Sequence, residues 1–321
     1  MIERIFKKLE QFFGGLAASV VSVLKLLVRS RVGLMLPVRQ RPVCAILGNG
    51  PSLNESLQDH LEFLQQTELV AVNGFSLSAV YATLKPQNYV LLDPAFFQYA
   101  PGGVRDDVGR MLDAVLTQTS WPMNLYVPWR GRNSWLVRQI RAANPQITPV
   151  FYNYVIVRGF RWLRHSLFRA GLGMPQCENV LTAALFLMLG RRFKTIYLFG
   201  ADHSWHEQLR LADSNELSVR QPHFYDTAQT GVYQPVANPV TKQTERMAGQ
   251  FLSFYRAFYS YEILKQYADS QRVNVLNASA KSYIDAFEKA VPPSLKPAMQ
   301  PANSTQKPDT NLFDTGLSGL D

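Results

Sequence analysis

Chemistry in this chain concentrates in three polar clusters: Gly48-Asn49-Gly50-Pro51-Ser52 and Asp202-His203-Ser204 with His206 and Glu207 beyond, each following an apolar run, and His223-Phe224-Tyr225-Asp226 in a polar stretch further on. Imidazoles beside carboxylates move protons at neutral pH, so His203 and His223 are candidate bases or donors, with Tyr225 as a hydrogen-bonding partner and Asp202 as an orienting carboxylate. The Gly-Asn-Gly-Pro-Ser turn offers different chemistry. Gly48 and Gly50 let the backbone turn sharply and let a ligand approach it closely, while Pro51 and Ser52 read as the start of a helix. Free amides in such a turn hold phosphate, although a plain tight corner satisfies the same residues. The turn lacks the third glycine of Gly-x-Gly-x-x-Gly, because position 53 is Leu, and no Lys follows it as in a Walker loop. His203 and His206 would share one face of a helix as metal ligands, but no third His or Cys lies nearby, so no metal is expected.

Apolar runs must position these clusters. Residues 43–47, 68–72, 88–92, 124–127, 147–152, 194–199 and 273–277 read as buried strands, separated by helical stretches at 54–66, 76–84, 106–118, 133–143, 179–189 and 245–266, with a short helix at 283–290. The alternation predicts an α/β, Rossmann-like fold, a mostly parallel sheet with helices on both faces. Asn49, Asn73 and Asp93 then fall at successive carboxyl ends of strands, where ligands bind in open parallel sheets. Polar turn residues follow strands in most α/β loops, so only their succession points to a site. Residues 207–244 lack periodicity, and a loop of that length reads as functional or disordered.

The 321 residues carry a net charge of +9, and residues 1–41 hold eight basic against two acidic side chains, a net +6. The remainder is near balance, which argues against a nucleic-acid-binding face. Residues 1–40 form an amphipathic basic leader. Its longest uncharged run, 11–24, falls short of the ~20 residues that cross a bilayer, so an in-plane helix on an anionic inner membrane face is expected rather than a spanning one. A helix packed on the protein's own core or on a second subunit fits the same pattern. Residues 158–173 interleave Arg158, Arg161, Arg164 and Arg169 with Phe160, Trp162 and Phe168, as a lid over an anionic substrate, a second membrane contact or a surface helix. Two cysteines, Cys44 and Cys177, give no disulfide framework, which fits a cytoplasmic setting. The catalytic domain is expected at 41–291, and 292–321, rich in Pro, Ser, Thr, Asn and Gln, as a disordered tail.

Gly48-Asn49-Gly50-Pro51-Ser52-Leu53, Asn73, Asp93-Pro94, Leu189-Gly190 and Lys194-Thr195-Ile196-Tyr197-Leu198-Phe199-Gly200-Ala201-Asp202 together resemble a superfamily. It holds the bacterial sialyltransferases of glycosyltransferase family 42, the motility-accessory-factor transferases and the MptE-like 6-hydroxymethylpterin pyrophosphokinases. The resemblance implies a nucleotide-activated sugar as substrate, with Gly48, Asn49, Gly50, Ser52 and Asn73 at its phosphate and nucleotide, and Asp93 where the sialyltransferases have a further Asn. It also implies metal-independent transfer to a glycan or lipid-linked acceptor in surface-glycan assembly. Within that reading the residues themselves suggest His223 as base, Tyr225 or His203 at the departing phosphate, and Asp202 orienting His203 or the acceptor. Cys177-Glu178-Asn179-Val180-Leu181 replaces the sialyltransferases' Thr-Ser-Gly-Val-Tyr, and Ser204 replaces a Tyr, so a CMP-nonulosonate is one donor among several. No Asp-x-Asp motif is present. A diphosphokinase using ATP and Mg²⁺ and a non-catalytic nucleotide-sugar or lipid-carrier binding module are the alternatives. The oligomeric state stays open.

Overall fold

The computed structural model describes residues 2–102, 105–226, 233–237 and 243–293. Six strands match apolar runs of the sequence: β1 (Val43–Leu47), β2 (Glu68–Val72), β3 (Asn88–Val90), β4 (Met123–Pro128), β5 (Ile147–Tyr152) and β6 (Thr195–Phe199). The stretch without periodicity is structured where it is described. It carries a small antiparallel sheet of β7 (Leu209–Leu211), β8 (Leu217–Val219) and β9 (Gln234–Pro235). After it come β10 (Asn274–Asn277), a seventh match, to the run at 273–277, and the two-residue β11 (Glu288–Lys289).

The main sheet has the order β11-β10-β6-β1-β2-β3-β4-β5, and every pairing in it is parallel. Successive side chains of each strand enter opposite cores, as the two-residue period requires. Cys44 and Ile46 lie in one core and Ala45 and Leu47 in the other. The chain fills the sheet outward from β1 to β5, then returns to place β6 on the other side of β1. The connections that follow β1 and β6 therefore leave towards opposite faces of the sheet, the helix Leu53–Asp59 into one core and the helix Met247–Gln271 into the other, which makes the topological switch point where doubly wound sheets bind ligands.

The helices are α1 (Ile2–Arg29), α2 (Leu53–Asp59), α3 (Leu61–Gln66), α4 (Tyr81–Leu84), α5 (Pro94–Gln98), α6 (Asp106–Gln118), α7 (Trp135–Ala143), α8 (Arg161–Arg169), α9 (Val180–Gly190) and α10 (Met247–Gln271). Helices α2 to α7 supply the core on one face, while α8, α9 and α10 supply the other. Val180 to Leu189 of α9 are all buried, because the helix lies between the sheet and α10. Such a helix is apolar all round and shows no amphipathic stripe.

Two expected helices take other forms. Residues 76–84 divide into a 3₁₀ turn, Asn73–Leu77, and the single turn of α4, because the Tyr89 hydroxyl donates to the Asn73 carbonyl and accepts from Ser76 N at 2.9 Å. Residues 283–290 form no helix but an irregular segment that ends in β11. Their buried Ile284 and Phe287 mimic helical spacing, but Asn277 Nδ2 holds the Ile284 carbonyl at 3.2 Å and β11 pairs with β10. The expectation for the tail falls on residues outside those described, apart from 292 and 293.

Candidate functional site

A cavity of about 610 Å³ opens at the carboxyl end of the sheet, beside the paired ends of β1 and β6. Its lining brings together Asn49 and Gly50 after β1, Asn73 after β2, Asp93 after β3, and Asp202, His203 and Ser204 after β6. His223 closes one side from the loop after β8, and Gln250 and Phe254 of α10 close another.

Gly48 and Gly50 serve the packing of two turns against each other. Gly48 N donates to Phe199 O at 2.7 Å and Gly50 N to Gly200 O at 2.9 Å. A Cβ at Gly48 would overlap the Gly200 carbonyl, and one at Gly50 the Asp202 carboxylate. Ser52 begins α2, and its amide and hydroxyl both bond the Asp202 carboxylate, at 3.1 Å and 2.5 Å. Asp202 thus caps the helix from a strand 150 residues away, replacing the local cap that Ser52 itself does not make. Burial pushes the Asp202 carboxyl up from its ordinary value, against the two Ser52 bonds that favour its charged form. The amides of Gly48, Gly50 and Ser52 are thereby committed within the protein. Side chains of the surrounding lining residues must supply the ligand contacts instead.

Those side chains are incomplete without a ligand. Seven buried side-chain nitrogen or oxygen atoms among the described residues have no hydrogen-bond partner, and four belong to lining residues: Asn49 Oδ1, Asn73 Oδ1, Asn179 Nδ2 and Arg220 Nε. Buried polar atoms are normally paired, so this concentration marks a place built for hydrogen bonds that another molecule completes. Asn49 is held by its Nδ2 on Val72 O at 3.1 Å. Asn179 caps α9, its Oδ1 accepting Thr182 N at 3.0 Å. Asn73 sits at φ 47°, in the left-handed region that Asn tolerates better than most residues. Arg220 is the only Lys or Arg in the described lining. Trp205 stacks on Phe254 at 5.9 Å between ring centres, giving the cavity an aromatic wall.

The loop carrying His223 is pinned to the same turn. Phe224 N donates to Asn49 O at 3.0 Å, Asn54 Nδ2 donates to Phe224 O at 3.0 Å, and the Phe224 ring packs on Phe75. His223 Nδ1 lies 3.3 Å from Asp226 Oδ2, which also accepts His223 N at 2.7 Å. An imidazole held at Nδ1 by a carboxylate presents Nε2 as its proton acceptor. Tyr225 lies outside the cavity lining. Its ring stacks on His223, and its hydroxyl packs where a Cβ of residue 74 would lie, a site left open by Gly74.

His203 is buried at φ 51°, with Nε2 on the Tyr261 hydroxyl at 2.8 Å and its ring 4.2 Å from that of Trp205. Burial drives its pKa down to about 3, so it is neutral at physiological pH. His206 instead packs on Tyr283, in a 3₁₀ turn that begins after His203. The two imidazoles therefore do not converge as ligands on one helix face. Among the described residues no three His, Cys, Asp or Glu side chains are grouped to hold a metal ion. Asp93 lies at the rim and caps α5, its Oδ1 accepting Ala95 N at 2.8 Å.

Sequence reasoning did not single out Arg220, Trp205 or Phe254 as site residues, nor Asn179 except as a departure from a motif. Arg220 lies in the stretch without periodicity, Trp205 just before it in the turn after Asp202-His203-Ser204, and Phe254 is one aromatic among many in α10. Asn179 alone carried a signal, an Asn directly before an apolar helical run.

No protein-family model matches the chain, and a search of curated proteins finds no match. Among solved structures, 82% of the chain aligns with 35% of the MAf glycosyltransferase from Magnetospirillum magneticum AMB-1, at 15% identity and a TM-score of 0.46. For the monofunctional alpha-2,3-sialyltransferase Cst-I from Campylobacter jejuni, 81% aligns with 85% of that chain, at 15% identity and 0.42. For the sialyltransferase CST-II in complex with trisaccharide acceptor and CMP, 78% aligns with 86%, at 12% identity and 0.39. The chain thus spans about a third of the length of the first of these proteins. These are distant likenesses. What this chain does rests on its own cavity.

Proposed function

We propose that this protein is a glycosyltransferase-like enzyme that moves a sugar from a nucleotide-activated donor to a glycan or lipid-linked hydroxyl, at the cytoplasmic face of the membrane, in surface-glycan assembly. Residues 41–291 form its catalytic domain. The observation that carries the reading is the concentration of unpaired carboxamide and guanidinium atoms at the β1/β6 crevice, beside an oriented His-Asp pair. Asn49, Asn73 and Asn179 offer acceptors and a donor to the base, ribose or sugar. The Trp205–Phe254 wall provides a stacking face, and Arg220 neutralises the donor phosphate.

In the transfer, His223 Nε2 takes the proton of the acceptor hydroxyl as its oxygen bonds to the anomeric carbon. The bond from that carbon to the phosphate oxygen breaks, and its electron pair leaves with the nucleotide. Positive charge develops on the sugar and negative charge on the phosphate. Asp226 steadies the imidazolium that forms, and Arg220 meets the departing phosphate. Asp202 acts through position, fixing the turn from which both Asn49 and the His223 loop are hung. A CMP-nonulosonate is one candidate donor among nucleotide-activated sugars.

Thermal stabilisation by CMP-, UDP- and GDP-sugars and by ATP, each with and without Mg²⁺, tests this. A bound nucleotide sugar at ~100 times its Kd adds about 2.7 kcal/mol to stability. A shift with a nucleotide sugar in the absence of Mg²⁺ is expected. A shift with ATP alone, dependent on Mg²⁺, would replace the transferase with a diphosphokinase.

A further inference from the structure

We infer that α1 and the start of α8 form one docking surface for an anionic phospholipid bilayer, with α1 lying in the plane of the interface. The first observation is which side of α1 the body takes. Ser19 Oγ accepts Phe160 N at 3.0 Å, Ser22 Oγ accepts Arg158 N at 2.9 Å, and Ser30 Oγ just beyond the helix donates to Leu172 O. Gly15 fits against the Phe160 ring, and Leu26 is buried against Gly173. The docked stripe is thus mostly small and polar.

The bulky apolar residues of α1 lie elsewhere, roughly 140° around the helix axis. Phe6, Leu9, Phe13, Val20, Leu24 and Leu27 are all exposed, Phe6 at 68% and Leu27 at 77%. An unbroken apolar face of this length on a folded chain marks a contact surface. Phe12 on α1 touches Phe160, 5.6 Å between ring centres, so the face continues onto α8. There Trp162 is 69% exposed beside Arg161, the pairing of amphipathic ring and cation found at membrane interfaces.

Charge selects the occupant. Arg4, Lys7, Lys8, Lys25 and Arg29 line the polar side of α1, and residues 1–41 carry a net +6. A second copy would bring like charge to like charge, whereas anionic headgroups complement it. The docked stripe also selects the geometry. Glu3–Arg29 is long and apolar enough to cross a bilayer by length and composition. Crossing would draw the attached 157–173 segment, with Arg158, Arg161, Arg164 and Arg169, into hydrocarbon or break its bonds to Ser19 and Ser22. Lying flat keeps both.

Flotation of the full chain with phosphatidylcholine vesicles, with and without 30% phosphatidylglycerol, at low and high salt, tests this. Binding to the anionic vesicles is expected, weakened by salt and released by pH 11 carbonate. The pair Phe13→Asp and Leu24→Asp should lower binding tenfold or more. Its Tm and circular dichroism should stay unchanged, since both side chains are exposed. Arg161→Glu should reduce the binding and its salt dependence without altering the fold. Equal binding by wild type and the aspartate pair, or none to anionic vesicles, would overturn the inference. Carbonate-resistant binding would replace the flat helix with a spanning one. A vesicle-free dimer that the aspartate pair converts to monomer would assign the face to a second copy.

Discussion

At the amino ends of β2 and β3, Glu68, Asn88, Tyr126 and Arg191 close on one another, whereas at the carboxyl ends of β1 and β2 Asn49 and Asn73 keep unpaired oxygens. In the first group Arg191 meets Glu68 at 2.6 Å and Asn88 at 2.9 Å, Tyr126 bonds Asn88 at 3.0 Å, and both ion-pair side chains are at most 2% exposed. Arg191 Nε also holds Pro37 O at 2.8 Å, and Glu68 holds Gln40 N at 2.8 Å. That network ties the segment after α1 to the sheet and leaves nothing for a ligand. The cavity's groups face the same low-polarity interior with their bonding unfinished. The difference separates polar burial that serves the fold from polar burial that serves recognition.

Substitutions at the two ends should therefore separate stability from activity. The largest effect is expected for Arg191→Ala, which strands Glu68 in the interior and should cost about 3–5 kcal/mol, read from denaturant unfolding. Any activity loss should follow the unfolded fraction alone. A loss of donor affinity in the folded protein would show that the two ends are coupled. His223→Ala should lower turnover on the order of 10²-fold while donor affinity and Tm stay unchanged, read by steady-state kinetics beside calorimetry. Unchanged turnover would remove His223 as the base. Arg220→Met should weaken nucleotide-sugar binding about tenfold, the share of one charge-assisted bond, with little change in Tm. A fall in stability would move Arg220 into the class of Arg191.

The smallest effect near neutrality belongs to His203. Its folded pKa lies near 3, below that of the unfolded chain, so the unfolded state takes up the proton first as pH falls. Its contribution to stability is complete above about pH 6.5 and fades towards pH 3, at up to ~1.4 kcal/mol per unit. Melting curves of wild type and His203→Gln from pH 7 to 4 should show a flatter profile for the variant. Parallel profiles would mean that His203 is not buried neutral.

The strands were readable because β1, β2 and β6 are continuous apolar runs, and the crevice because polar residues end them. What eluded the sequence is pairing at a distance. Nothing local ties Asp202 to Ser52, and the same Gly-x-Gly spelling suits a phosphate nest or two turns packed back to back. The face of α1 that docks was hidden for a similar reason. The body chose Gly15, Ser19 and Ser22, while the periodicity advertised the bulky residues.

Asn73 places a side chain on left-handed backbone, with φ at 47°, and leaves its Oδ1 buried and unpaired. Glycine there would relax both features, so unliganded stability and ligand recognition pull this position in opposite directions. A library of variants sorted for heat resistance alone would drift towards glycine at residue 73, and one sorted for turnover would return to asparagine.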